Sequence, residues 1–125
     1  MANIAELSDV TFASEVFRQE GAVLVEFWAP WCRPCLALAP ELSNLATEWS
    51  GRLKVVRLNV DENPVSSLMY GVKNIPALLV FRSGEELGRI EGYCERGVIN
   101  EQLTAFLTAD EDGSPGCVGG AGTGE

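Results

Sequence analysis

The sequence predicts an α/β layered domain, and three observations carry that prediction. A near-continuous apolar run with a β-branched bias at 22–27, and further stretches at 53–60 and 77–81, read as buried strands. Between the first two, Leu36, Leu38, Ala39, Leu42, Leu45, Ala46 and Trp49 recur at three- and four-residue spacing, the stripe of an amphipathic helix. Ser83-Gly84 then turns the last run into a partner segment at 87–91, which reads as a hairpin. Strands that alternate with helices and close in a hairpin pack as layers.

The remaining elements follow in chain order. Residues 3–5 are expected as a short edge strand. Ser8 or Asp9 is suited to cap a helix that carries Phe12, Val16 and Phe17 on one face, and Gly21 ends that region. The first buried strand is expected over 22–29 and the amphipathic helix over about 34–49. Pro34 suits its first turn, and Pro40 inside it predicts a kink. Asp61-Glu62-Asn63-Pro64 reads as the cap of a short helix that runs to about Tyr70 and is closed by Gly71. Val98, Leu103, Phe106 and Leu107 mark a final helix at about 96–108. From Asp110 the composition turns acidic and then Gly-rich, with no Lys or Arg after Arg96. The expected organisation is one domain over 1–109 and a disordered tail over 110–125.

Composition narrows the function classes. Of 125 residues, 46% are hydrophobic, ample for one core without obligatory disulfides. Nine basic against eighteen acidic residues give a formal net charge of −9. That argues against nucleic acid or an anionic membrane as partner. No apolar run is long enough to span a bilayer. The N-terminus lacks a basic region followed by an apolar stretch, so no secretory signal is expected. Read as complete, the chain is expected in the cytoplasm, where thiols stay reduced. There is no histidine, so a general base must be a carboxylate, a lysine or a thiolate.

The chemistry concentrates in Trp31-Cys32-Arg33-Pro34-Cys35, at a strand-to-helix junction. That position puts Cys32 near the helix N-terminus, where orphan N–H groups and the helix dipole stabilise an anion. A thiolate there is the reactive form. Cys35, about one turn further in, points inward and is more shielded. The same spacing also suits half of a zinc site, but that needs a second pair, and Cys94 and Cys117 are not so spaced.

Three further stretches make the pattern specific. Val25-Glu26-Phe27-Trp28-Ala29 precedes the cysteines, and Asn59-Val60-Asp61-Glu62-Asn63-Pro64 and Ile75-Pro76-Ala77-Leu78-Leu79-Val80-Phe81 follow. Together they resemble the thioredoxin family, from about residue 12 to 107. The resemblance implies a central mixed five-stranded sheet flanked by four helices. It implies a thiol–disulfide oxidoreductase that reduces protein disulfides and holds no bound cofactor beyond its redox-active Cys32–Cys35 disulfide. It further implies a monomer that a thioredoxin reductase, typically drawing on NADPH, recharges. Two other readings stand beside it. One is a more oxidising oxidase or isomerase, motivated by Arg33 where the family commonly has glycine. The other is a binding or processivity subunit that uses the fold without turnover.

Candidate roles follow. Cys32 attacks a target disulfide as the thiolate, and Cys35 resolves the mixed disulfide. Glu26 is a carboxylate in a run expected to be buried, which raises its pKa and suits it to proton transfer. From its strand it can lie beneath the helix that carries Cys35 and take that thiol's proton, directly or through a water; the alternative is an exposed strand face. The family usually has aspartate there. Arg57 matches a family lysine thought to partner this carboxylate, and a fixed cation holds the acid's pKa down more firmly. Arg33 and Pro34, between the cysteines, are expected to tune the couple. Ile75-Pro76 resembles the family's cis-proline loop, along which a substrate chain can pair as an added strand. Trp31, Ile75, Pro76 and Gly92 then form the apolar contact surface, with Trp28 as packing beside the site. Asn74 and Ala77 depart mildly from the usual residues there and bear on substrate preference. For Cys94 and Cys117 two readings stay open: a mutual bridge that drapes the tail toward the substrate groove, or two thiols without a role.

Overall fold

The computed structural model describes residues 4–18 and 21–108. Five strands form one sheet: β1 (Ala5–Leu7), β2 (Ala22–Trp28), β3 (Leu53–Asn59), β4 (Ala77–Arg82) and β5 (Glu85–Glu91). Their spatial order is β1-β3-β2-β4-β5. β1, β3 and β2 run parallel, whereas β4 and β5 are antiparallel to their neighbours. Three α-helices join them, α1 (Arg33–Glu48), α2 (Pro64–Met69) and α3 (Arg96–Thr108), together with a π-wound turn at Ala13–Phe17. The expected mixed five-stranded sheet with four helices is therefore present.

β2 is paired on both edges and covered on both faces, which is why its sequence is an unbroken apolar run. Alternation divides its side chains between two layers. Val23, Val25 and Phe27 pack with Phe12, Val16 and Phe81 on one side. Leu24 packs on the other side with Leu38, Leu42 and Leu45 of α1 and Ile99, Leu103 and Phe106 of α3. The first layer is aromatic: the Phe12 ring lies 5.5 to 6.4 Å from Tyr70, Phe17, Phe81 and Phe27. In the second layer the Phe106 ring packs against Gly88 of β5, where any Cβ would collide with it.

Several boundaries differ from expectation. The edge strand lies at Ala5–Leu7, later than 3–5, because Leu7 is the side chain that reaches the core while Ala5 and Glu6 are exposed. β2 ends at Trp28, and α1 begins at Arg33. The first helical segment is a single π-wound turn with no side-chain cap. Asp9 caps α2 instead: its carboxylate accepts from Val65 N at 3.1 Å and Ser66 N at 2.8 Å. Asn63, the expected cap, turns its Oδ1 to Asp9 N at 3.0 Å. A local signature was thus satisfied by a partner 56 residues away. The hairpin turn has positive φ at both Ser83 (54°) and Gly84 (82°), matching the strand twist. The expected tail over 110–125, with Cys117, lies outside the described residues.

Candidate active site

β2 runs into α1 through a short link, and the two cysteines sit at its end. Cys32 is the N-cap of α1, with φ −88° and ψ 106°. Its Sγ accepts a hydrogen bond from Cys35 N at 3.3 Å, so one orphan amide of the helix N-terminus points at the sulfur. Pro34 lies in the first turn, where its missing N–H breaks no helical bond. Cys32 and Cys35 are joined in a disulfide. The pair packs with Ala29 against Trp28, Val60 and Ile75. In this oxidised state Cys32 is only 4% exposed and Cys35 0%, so the expected contrast between an open and a shielded cysteine is small.

Around the disulfide stand three other segments. The Ile75–Pro76 peptide bond is cis. Pro76 is buried, Ile75 is half-buried, and Gly92 N donates to Pro76 O at 2.8 Å, which ties the end of β5 to the proline loop. Gly92 adopts φ +92°, a conformation that favours glycine. Trp31 is 66% exposed beside Cys32, and its Nε1 donates to Asp61 Oδ2 at 2.8 Å. Arg33 is exposed. A groove of about 480 Å³ lies elsewhere, among Ala22, Ala46, Gly51 and Leu53, at the far end of α1.

Glu26 is fully buried on β2. Strand parity puts it on the layer of Leu24, the side covered by α1. Burial pushes its pKa up to about 7; Arg57 pulls it down and Glu6 pushes it up, both more weakly than burial. The direction is the one expected for a buried acid, with Arg57 opposing it. Arg57 Nε stands 3.5 Å from Glu26 Oε1 and 3.4 Å from Glu6 Oε2, so its charge is divided. Its guanidinium lies 3.8 Å over the Trp28 ring, and Trp28 Nε1 donates to Glu6 Oε2 at 2.9 Å.

Comparison with known proteins decides the family. The thioredoxin family model matches residues 3–105. The chain belongs to the thioredoxin family. The thioredoxin 1 of Nostoc sp. is 37% identical over 107 residues, covering 86% of this chain and 100% of that relative. The thioredoxin 1 of Synechococcus elongatus is 41% identical over 107 residues with the same coverage. A thioredoxin of Pseudomonas aeruginosa is 39% identical over 108 residues, covering 86% of this chain and 96% of the relative. Membership and the Cys32–Cys35 pair make this a thiol–disulfide oxidoreductase of the protein-disulfide-reducing kind.

Two residues around this thioredoxin-family site escaped the sequence reading. Asp61 reads from the sequence only as part of a helix cap, and Glu6 carries no motif. No local signal marks either, since both contacts join residues 22 or more positions apart. Cys94 is buried at 2% in the core layer of Ile90 and Ile99, two residues past Gly92. Among the described residues no three His, Cys, Asp or Glu side chains are grouped to hold a metal ion, and no helix is long and apolar enough to cross a membrane.

Proposed function

We propose that Cys32 is the attacking thiol, Cys35 the resolving thiol and Glu26 the proton acceptor of the second step. The observation that carries this reading is the helix-capping Cys32 sulfur, which receives Cys35 N–H at 3.3 Å. Such a cap favours a thiolate over a thiol. In the reduced protein the Cys32 thiolate attacks one sulfur of a target disulfide. A mixed disulfide forms, and the other target sulfur leaves as a thiolate and takes a proton from water. Cys35 then gives its proton to the Glu26 carboxylate and attacks the Cys32 sulfur. The Cys32–Cys35 bond closes, and the second target sulfur leaves reduced. Two electrons pass from the dithiol to the target, and Glu26 returns its proton to solvent.

Trp31, Ile75, Pro76 and Gly92 receive the target chain in this reading. Their support is proximity: Ile75 packs on the disulfide and Gly92 is bonded to Pro76. Disulfide-containing proteins are the substrates, a thioredoxin reductase recharges the dithiol, and the protein works as a cytoplasmic monomer without a bound cofactor. The test is trapping. Cys35→Ser is expected to accumulate a mixed disulfide with disulfide-bonded targets such as insulin, whereas Cys32→Ser is not. Low-pH alkylation that modifies Cys35 ahead of Cys32 would reverse the two roles.

A further inference from the structure

Glu26 cannot be understood from its own strand alone. Its carboxylate is buried, and neither oxygen has a hydrogen-bond partner among the described residues. The cation beside it, Arg57, cannot deprotonate and pulls the carboxylate toward its ionised form, against burial. Arg57 is not committed to Glu26, however. Its Nε stands between Glu26 Oε1 at 3.5 Å and Glu6 Oε2 at 3.4 Å, hydrogen-bonded to neither. Glu6 is itself held, because the same Oε2 accepts Trp28 Nε1 at 2.9 Å. Parallel register sets this line: Glu6 pairs with Arg57 across β1 and β3, and Glu26 pairs with Arg57 across β2 and β3.

We propose that Glu6 is a positioning residue of the disulfide-exchange reaction: it competes with Glu26 for Arg57 and so leaves Glu26 freer to take up a proton. This rests on the role given to Glu26 above. The other neighbours add no competing charge. β4 offers Leu78 opposite Glu26. α1 and α3 cover the layer with Leu38, Leu42 and Ile99. The charged groups acting on Glu26 are Arg57 from β3 and Glu6 from β1, and they act in opposite directions. Removing the Glu6 charge deletes a repulsion and releases Arg57 to Glu26, so both consequences favour the Glu26 carboxylate. A carboxylate held ionised more firmly is a weaker base toward Cys35.

The experiment uses the full chain with glutamate carboxyl carbons labelled, and follows the Glu26 resonance, assigned by its loss in Glu26→Gln, against pH. Glu6→Gln keeps an acceptor for Trp28 Nε1 while removing the charge. It is expected to move the Glu26 midpoint down by about one pH unit. Glu6→Asp, which keeps the charge, is expected to restore most of that shift. An unchanged or raised midpoint in Glu6→Gln overturns the proposal, as does a Glu6→Asp variant that titrates like Glu6→Gln. In parallel, single-turnover reduction of dithiobis(nitrobenzoate) separates the Cys32 step, the first nitrothiolate released, from the Cys35 step, the second. Glu6→Gln is expected to slow only the second, by about threefold at neutral pH. A second phase whose pH profile is the same in Glu26→Gln as in the parent removes the role of Glu26 itself. The carboxyl titration still decides whether Glu6 governs Arg57.

Discussion

Trp31 is 66% exposed beside the disulfide, yet its indole N–H is bonded to Asp61 at 2.8 Å. That bond joins the β2–α1 link to the turn after β3. If Trp31 receives the target chain as proposed, the bond holds that surface in place beforehand and lowers the ordering cost of binding. Asp61→Ala is expected to raise KM for a protein disulfide about threefold with kcat little changed, since a bond between exposed groups contributes under about 1 kcal/mol. Steady-state reduction of insulin, with Trp31 fluorescence anisotropy to follow the loosened ring, checks this. A fall in kcat at constant KM would place Asp61 in the chemistry instead.

The Glu26 pKa carries a stability consequence with a definite sign. Folded, the group binds its proton up to about pH 7; unfolded, only to its ordinary 4.5. Between those values the folded state holds more protons, so stability falls as pH rises through the window. The full difference amounts to about 3 kcal/mol, present below the lower value and lost above the upper one. Chemical denaturation of the oxidised protein from about pH 5 to pH 8 should show this decline, and Glu26→Gln should remove it. The variant should be the more stable form at the alkaline end, because no charge is then buried. Parallel curves for the two proteins would mean that Glu26 does not titrate in this range.

Arg33 follows Cys32 at the first helical position and is exposed. A fixed cation there favours the Cys32 thiolate, which exists only in the reduced protein. Stabilising the reduced form makes the couple less reducing. Arg33→Gly is therefore expected to move the potential to a more negative value, by about 10 to 30 mV given solvent screening. Equilibration against glutathione measures it. A move to a more positive value would show that the backbone freedom of glycine in closing the ring outweighs the charge.

The sequence by itself determined the layer class, the three buried strands, the amphipathic helix and the reactive pair at its start. These are properties of spacing and of near neighbours in the chain. An apolar run of strand length and a stripe at helical period are read locally, and the Cys-Arg-Pro-Cys step becomes specific with the three stretches around it. What surrounds the pair was decided by tertiary structure. Asp9 reaches across to cap α2 in place of Asn63. Asp61 holds Trp31, and Glu6 shares Arg57 with Glu26. The raised direction of the Glu26 shift was legible from its apolar run, but the balance of charges around it was not. Only the fold says that burial outweighs a cation whose charge is divided between two carboxylates. Such contacts join residues tens of positions apart through strand register, and register is set by which faces pack together.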